Sequence, residues 1–250
     1  MPSRSHDALV FIPTYNESGN VENICAQILA LGLPLDILFL DDNSPDGTGT
    51  ILDGLAAKHP NLSVIHRSGK LGIGGAHLDG IAWAYARGYP QLITMDCDFT
   101  HSPADIVKLR AAAVGFHVAV GSRFMEKGSL PGWNPLRRLL TMFGHFLTQN
   151  LLRMPFDCSG AFRVYDLTKI SPDIFALVRP KGYAFFFESL FVLNRNGCTI
   201  NEVPIVLPVR ASGASKMSLR EIWRGVSRLL AVFCLSVVQP SRFKLTPPRP

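Results

Sequence analysis

The chain alternates continuous apolar runs with segments of helical periodicity over its first hundred residues. Buried strands are predicted at 8–13, at the start of 35–48, at 62–68 and at 91–98. Helices are predicted at 21–32, at 50–60 and in the second part of 69–88. Short apolar runs that alternate with helices indicate parallel strands covered on both faces. The pattern therefore predicts a doubly wound α/β sheet.

Polar side chains follow three of these strands. The clusters are Tyr15, Asn16 and Glu17; Asp41 and Asp42; Asp96 and Asp98. Parallel strands would bring all three clusters to one sheet edge, where ligands of such folds bind. The alternative is that these acids only mark turns, but no turn signal directly follows Asp96 and Asp98.

Paired carboxylates at such an edge indicate a cation. Asp96 and Asp98 stand one residue apart, and two unscreened carboxylates this close raise one another's pKa. A divalent cation removes the repulsion, and hard oxygen ligands suit Mg²⁺ or Mn²⁺. The two acids are therefore predicted to hold one of these metals.

Charge is unevenly divided along the 250 residues. Residues 1–119 hold 7 Lys and Arg against 12 Asp and Glu, whereas residues 120–250 hold 18 against 7. A basic second half indicates an anionic ligand, and nucleic acid, phosphorylated small molecules and an anionic membrane all qualify. With 47% hydrophobic and 18% charged residues, the chain can fill the core of one large α/β domain.

The five cysteines are scattered and include no CxxC pair, which favours buried thiols in a reducing compartment over disulfides or a zinc site. The opening residues lack the pattern of a secretory signal peptide. The apolar run at 229–238 is about half of the ~20 residues that a membrane-spanning helix needs. We therefore expect a cytoplasmic protein.

Two later stretches suit a lipid surface. Residues 134–153 are apolar and basic, and residues 218–238 open with a capping box of Ser218 and Glu221. The second stretch also places Arg220, Arg224 and Arg228 four residues apart, on one face of an interfacial helix. The alternative is a pair of core-packing helices with ordinary arginine faces. The proline-rich, basic residues 241–250 are expected to be a disordered tail.

Two enzyme classes share the sequence "MDCDFT" at 95–100. In haloacid-dehalogenase-like phosphatases Asp96 would be the nucleophile and Asp98 the acid and base. That motif usually follows the first strand, whereas three strands precede it here, and no convincing acidic pair lies downstream.

Seven blocks in order carry a second resemblance. They are "PTYNESGN" (13–20), "DDNSPDGT" (41–48), "GKLGIGGAHLDG" (69–80), "MDCDFTHSP" (95–103), "GSRF" (121–124), "DCSGAFRVY" (157–165) and "INEVPIVLPVRASGASK" (200–216). Together they resemble the GT-A-fold glycosyltransferases of family 2, and most of all the dolichol-phosphate (polyprenol-phosphate) mannose synthases. The resemblance implies one GT-A domain over 1–240, with donor binding at about 8–120 and acceptor binding and a closing loop at about 121–240.

The resemblance also implies a role for each matching residue. The nucleoside would be held by Pro13, Tyr15, Glu17 and Asp42. The metal and the donor pyrophosphate would be held by Asp96, Cys97 and Asp98, of which Asp98 is also catalytic. The lipid phosphate would be gripped, as part of the catalytic group, by Arg123, Arg137 and Thr141. The loop that closes over the nucleotide would contribute Arg210 and Lys216.

The implied reaction is an inverting transfer of a hexose to polyprenyl (dolichyl) phosphate, with Mg²⁺ or Mn²⁺ as cofactor. Mannose from GDP-mannose is the first choice of donor, and a UDP-sugar is the alternative. The protein would sit peripherally on the cytoplasmic face of a membrane, with no nucleic-acid partner. Some relatives use a membrane partner subunit, of which this sequence gives no sign. An inactive membrane adaptor is the remaining hypothesis, although such a protein should have lost the costly acids.

Three other polar residues have no role in this assignment. His101, beside the acid pair, is interpreted as a hydrogen-bonded structural histidine, with contact to the metal as the alternative, and His145 is interpreted as structural. Glu188 stands in the apolar run "FFFESLF", so it is expected either to pair with a base or to face the sugar.

Overall fold

Seven strands form one mixed sheet in the computed structural model, which describes residues 5–179, 182–209 and 219–246. The strands are β1 (Ala8–Thr14), β2 (Leu35–Asp41), β3 (Leu62–His66), β4 (Gln91–Thr94), β5 (Val118–Ser122), β6 (Arg163–Asp166) and β7 (Ile200–Pro204). Their order is β3-β2-β1-β4-β6-β5-β7, and β6 runs antiparallel to both of its neighbours while the other pairs are parallel. The four strands predicted from apolar runs are all present.

Helices cover both faces of the sheet. They are α1 (Val21–Leu29), α2 (Thr48–Lys58), α3 (Ile73–Ala86), α4 (Asp105–Ala113), α5 (Pro135–Leu152), α6 (Asp173–Ala176), α7 (Phe185–Arg195) and α8 (Leu219–Val238), followed by a 3₁₀ helix (Pro240–Phe243). The side chains of β1 alternate between two cores: Val10 and Ile12 pack with α1, α2 and α4, whereas Leu9 and Phe11 pack with α3, α7 and α8. Burial of both strand faces explains the continuous apolar runs in the sequence.

The strand order reverses beside β1. The chain moves outward from β1 through β2 to β3, then returns to place β4 on the other side of β1. The carboxyl ends of β1, β2 and β4 therefore lie at one edge, next to the crevice that such a reversal creates. This is the edge at which the sequence places its three polar clusters.

Residues 241–246 differ from the predicted disordered tail. The Phe243 ring is buried and packs edge-on against Phe191, with ring centroids 5.2 Å apart. Asn196 Nδ2 donates to the Phe243 carbonyl at 2.8 Å, and the Leu245 N–H donates to Asn196 Oδ1 at 2.8 Å. One buried aromatic side chain thus anchors a segment whose overall composition is typical of disorder.

Gly80 is required where α3 crosses β1. A Cβ added to Gly80 would lie 2.4 Å from the buried ring of Phe11. Gly80→Ala is therefore expected to lower the free energy of unfolding by about 1–3 kcal/mol, because overpacking outweighs the gain in helix propensity. Gly54→Ala is the matched control: its Cβ meets nothing within 4 Å, so a gain of about 0.5–1 kcal/mol is expected. Denaturant titration measures both, and equal stabilisation of the two variants would contradict this account.

Candidate active site

Three loops at the carboxyl edge of the sheet contain a non-glycine residue with positive φ. They are Asn16 (φ 55°), Asn43 (φ 57°) and Phe99 (φ 60°), after β1, β2 and β4 respectively. Asparagine tolerates this conformation, but an aromatic residue adopts it at a cost. Such strain collects at functional sites, where the surrounding structure holds it in place.

The turn after β4 fixes Asp98. The left-handed Phe99 folds the chain back, so that the Thr100 N–H and hydroxyl donate to Asp98 Oδ1 at 3.1 and 2.6 Å. Asp98 is only 3% exposed, whereas the Asp96 side chain is 35% exposed. The buried Cys97 lies between them. One carboxylate is therefore held rigidly and the other is open to a ligand.

His101 supports this turn from behind. Its Nδ1 accepts from the Asp96 N–H at 3.0 Å, and its buried ring packs against Phe162. Burial lowers the pKa of His101 to about 4, with the Asp98 charge opposing and the Arg123 charge adding to that shift. The imidazole is therefore neutral at pH 7 and can accept the backbone hydrogen bond.

The acid pair fits a divalent cation that completes its shell with substrate. In residues 5–179, 182–209 and 219–246 there is no group of three or more His, Cys, Asp and Glu side chains that could hold a metal alone. Mg²⁺ and similar ions need only one or two carboxylates when phosphate oxygens supply other ligands. Asp96 and Asp98 offer that donor set.

Arg67 holds Asp42 at the end of β2. Arg67 Nη1 donates to Asp42 Oδ1 at 2.7 Å, and Arg67 Nε lies 3.2 Å from Asp79 Oδ2 without hydrogen-bond alignment. Burial raises the pKa of Asp42 even though the Arg67 charge works against it. Gly75 leaves room for the guanidinium, since Arg67 Nη2 lies 3.0 Å from where a Cβ would be. Arg67 was not predicted as a site residue, although its place directly after β3 puts it at the same edge.

The loop after β1 contributes the other predicted nucleoside residues. Pro13 pairs with Leu40 within the sheet, and the Tyr15 ring has Lys70 Nζ 4.1 Å from its centroid. The Glu17 carboxylate accepts from Asn20 Nδ2 at 2.7 Å. The structure thus brings Pro13, Tyr15, Glu17, Asp42, Asp96, Cys97 and Asp98 to one edge of the sheet.

Arg123 follows β5 and is paired with a buried acid. Arg123 Nε donates to Asp157 Oδ2 at 2.8 Å, and Asp157 is fully buried. Burial alone would raise the pKa of Asp157, but the Arg123 charge and N–H bonds from Arg123 and Ser159 hold it below its ordinary value. Asp157 was not predicted as a site residue, although it opens the block "DCSGAFRVY".

Arg137 and Thr141 lie one turn apart on α5. The Arg137 guanidinium carbon lies 3.6 Å from the Trp133 ring centroid, and Trp133 Nε1 donates to the Leu207 carbonyl at 3.0 Å. The stack on a buried, hydrogen-bonded tryptophan gives Arg137 a defined position. Thr141 is half-buried on the same side of the helix.

Comparison with known proteins decides the family. Residues 9–170 match the family model described as Glycosyl transferase family 2. The chain belongs to this family. It is therefore a glycosyltransferase, as the seven blocks predict, and the phosphatase hypothesis is wrong.

Two curated relatives resemble the transferase over most of its length. It is 36% identical over 213 residues to polyprenol monophosphomannose synthase of Mycolicibacterium smegmatis, covering 84% of this chain and 80% of that protein. It is 34% identical over 211 residues to undecaprenyl-phosphate mannosyltransferase of Micrococcus luteus, covering 84% and 87%.

Solved structures confirm the predicted GT-A fold. The mannosyltransferase PcManGT from Pyrobaculum calidifontis, in complex with GDP-Man and Mn²⁺, superposes with a TM-score of 0.55 at 14% identity. TarS 1–349 of S. aureus, in complex with UDP-GlcNAc, gives a TM-score of 0.58 at 16% identity. The transferase aligns over 96% and 92% of its own length and spans 66% of each of those longer chains.

Two predicted residues of the transferase, Arg210 and Lys216, lie outside the described residues. So does Ser218, the first member of the predicted capping box.

Glu188 of the transferase pairs with a base. Its fully buried carboxylate accepts from Arg228 Nε at 2.6 Å and from Arg228 Nη2 at 2.7 Å. This bidentate pair ties α8 to α7 and decides between the two interpretations of Glu188. The assignment of Arg228 to a lipid-facing basic surface is therefore wrong, because its guanidinium pairs with the buried Glu188 and its side chain is only 26% exposed.

Proposed function

We propose that the transferase moves mannose, with GDP-mannose as donor, onto the phosphate of a polyprenyl (dolichyl) phosphate with inversion at the sugar. The names of both curated relatives support a mannosyl donor and a prenyl phosphate acceptor. The observation that carries the proposal is the two-faced helix α5, described below, beside an acidic sheet edge.

The acidic edge suits the donor. Pro13, Tyr15, Glu17 and Asp42 surround the nucleoside in this proposal, as the family resemblance implies. Asp98, with Asp96, holds Mg²⁺ or Mn²⁺, which when bound neutralises the leaving pyrophosphate. Arg210 and Lys216, outside the described residues, are assigned to the same phosphates.

The acceptor phosphate is already an anion at neutral pH and needs no strong general base. It needs to be positioned for attack on the sugar carbon and partly balanced in charge. Arg123 and Arg137 supply charge-assisted hydrogen bonds, and the Thr141 hydroxyl supplies one more donor. Inversion follows if the phosphate oxygen attacks from the side opposite the leaving pyrophosphate.

Helix α5 has two opposite faces. At 100° per residue, Arg137 and Thr141 lie on the side that also carries the buried Thr148 and Leu152. The opposite side is solvent-exposed and mostly apolar; it carries Leu136, Leu139, Phe143 and Phe146, with Leu140 and Met142 at its margins. An exposed apolar stripe of this length indicates a surface that contacts something apolar. The acceptor's prenyl chain lies in a bilayer, so we assign this face to the membrane.

Helix α8 also exposes apolar side chains. It contacts α5 and exposes Trp223, Leu230, Val237 and Val238. Across the described part of the chain, every helix is too short or too polar to cross a bilayer. The apolar faces of α5 and α8 support the proposed location, which is peripheral contact with the cytoplasmic face of a membrane.

A donor and acceptor panel tests the proposal. Purified protein is incubated with radiolabelled GDP-mannose or UDP-sugars and a short prenyl phosphate, and the product anomer is determined by NMR. Transfer from GDP-mannose with inversion is expected. Transfer from a UDP-sugar alone would change the donor, and transfer to no prenyl phosphate would overturn the acceptor class.

Arg137→Ala is expected to reduce kcat/KM for a short, water-soluble prenyl phosphate about 10- to 150-fold. The substitution removes a hydrogen bond to an anion, on the order of 1.5–3 kcal/mol. Arg123→Ala is a less specific test, because loss of Arg123 would also leave Asp157 buried without its arginine.

The matched control for Arg137→Ala is Arg138→Ala. Arg138 is exposed and donates to the Leu130 carbonyl, so its removal should change kcat/KM less than about twofold. The donor KM should stay near the wild-type value in both variants. Equal losses in the two variants would contradict the role of Arg137.

A further inference from the structure

His145 continues the inward face of α5 beyond Arg137 and Thr141. The three residues are spaced four apart, so they lie one above another along one side of the helix. The sequence analysis interpreted His145 as structural, and none of the seven family blocks contains it. Its position on the helix places it next in line after the two residues proposed to meet the acceptor phosphate.

The His145 ring is fixed beside Arg123. It stacks on Phe124 with centroids 3.8 Å apart and planes 8° from parallel. The Arg123 guanidinium carbon lies 5.8 Å from the centroid of the same phenyl ring. The Phe124 ring therefore contacts the His145 imidazole and lies near the guanidinium of Arg123, which is also proposed to bind the phosphate.

One ring nitrogen of His145 is unused in the part of the chain that the structure describes. Its Nδ1 is buried without a hydrogen-bond partner there. Buried polar atoms are nearly always paired, so an unpaired one needs an explanation. The charged groups near the ring are Arg123, Asp157 and Glu202. Asp157 already pairs with Arg123, and Glu202 accepts from the Asp157 N–H at 2.8 Å.

We propose that His145 donates a hydrogen bond to the acceptor phosphate, beside Arg123 and Arg137. This inference rests on the proposed function. A phosphate monoester presents three acceptor oxygens, and two guanidinium groups with one imidazole give each oxygen a nitrogen donor. Burial lowers the pKa of His145, so the resting ring is neutral at pH 7 and still carries one N–H.

Two substitutions separate hydrogen bonding from packing. His145→Phe keeps a flat ring over Phe124 but removes the donor, so KM for a short prenyl phosphate should rise about tenfold. His145→Gln keeps a donor and should stay within about threefold of wild type. The donor KM should change less than about twofold in both. A wild-type acceptor KM for His145→Phe, or equal changes in both KM values, would overturn the inference.

A measurement on the wild-type protein does not depend on how the variants fold. Diethyl pyrocarbonate modifies accessible histidines, and peptide mass spectrometry reads each site. A short prenyl phosphate should slow modification of His145 at least about fivefold. It should not affect His59 or His117, which lie near the opposite sheet edge, before β3 and β5.

The outcomes separate the two proposals. If the wild type transfers sugar to the prenyl phosphate while His145 is not protected, only the role of His145 is overturned. If the wild type transfers sugar to no prenyl phosphate, both are overturned.

Discussion

Arg228→Met is expected to lower the free energy of unfolding by about 3–5 kcal/mol, the largest effect on stability predicted for this protein. Glu188 is fully buried, and both of its carboxylate oxygens accept from Arg228. Removal of the arginine leaves an uncompensated charge in the apolar core between α7 and α8, and breaking a buried pair from one side has this cost. Denaturant titration with circular dichroism measures the loss.

Two control variants test whether the loss of stability in Arg228→Met comes from the broken ion pair. Arg224→Met, one turn earlier on the same helix at an exposed position, should change stability by less than about 0.5 kcal/mol. The double variant Arg228→Met with Glu188→Met should recover most of the loss, because a buried ion pair can be replaced by apolar side chains at little cost. A single variant as stable as Arg224→Met would show that the pair is not buried in solution.

Asp98→Asn should reduce kcat about 100- to 1000-fold while the protein remains folded. In the proposed reaction the carboxylate holds the cation that balances the leaving pyrophosphate, and loss of one such electrostatic group costs about that much. An asparagine oxygen can still accept from the Thr100 N–H and hydroxyl, so the turn after β4 should survive. Steady-state kinetics and thermal melting measure the two quantities separately.

Asp105→Asn is the matched control for Asp98→Asn. Asp105 lies in the first turn of α4, and its carboxylate pairs with Lys108 Nζ at 3.0 Å. Its variant should keep kcat within about twofold of wild type. Full turnover by Asp98→Asn, or by wild type in excess chelator, would contradict the metal role.

The first four strands could be predicted, because a strand that is buried on both faces has a continuous apolar run in the sequence. The last three strands, β5 to β7, were not predicted, and β4, which was expected to reach Asp98, ends at Thr94. The backbone leaves the sheet there because the Asp96 N–H donates to the His101 ring. A side-chain acceptor five residues along the chain has no signature in hydrophobic periodicity.

The acidic edge could also be predicted, because parallel strands bring their carboxyl ends together. The partners of the charged residues could not be predicted. Arg67 with Asp42, Arg123 with Asp157, and Arg228 with Glu188 are separated by 25, 34 and 40 residues. The neighbouring sequence shows that a charged residue is buried and needs a partner, but it does not show which distant residue is that partner. For this reason Arg228 was predicted on the wrong side of α8.

The two-faced helix α5 has a consequence for substrate choice. The side chains proposed to face the lipid and those proposed to bind the phosphate belong to the same helix. The depth to which α5 enters the bilayer therefore sets the distance of the bound acceptor phosphate from the bilayer. In the proposed arrangement the prenyl tail beyond its first units passes directly into the bilayer. The enzyme would then select its acceptor by the phosphate and the first prenyl units, and the length of the remaining prenyl chain would not affect the choice. Prenyl phosphates of very different length should be used at similar rates in vesicles.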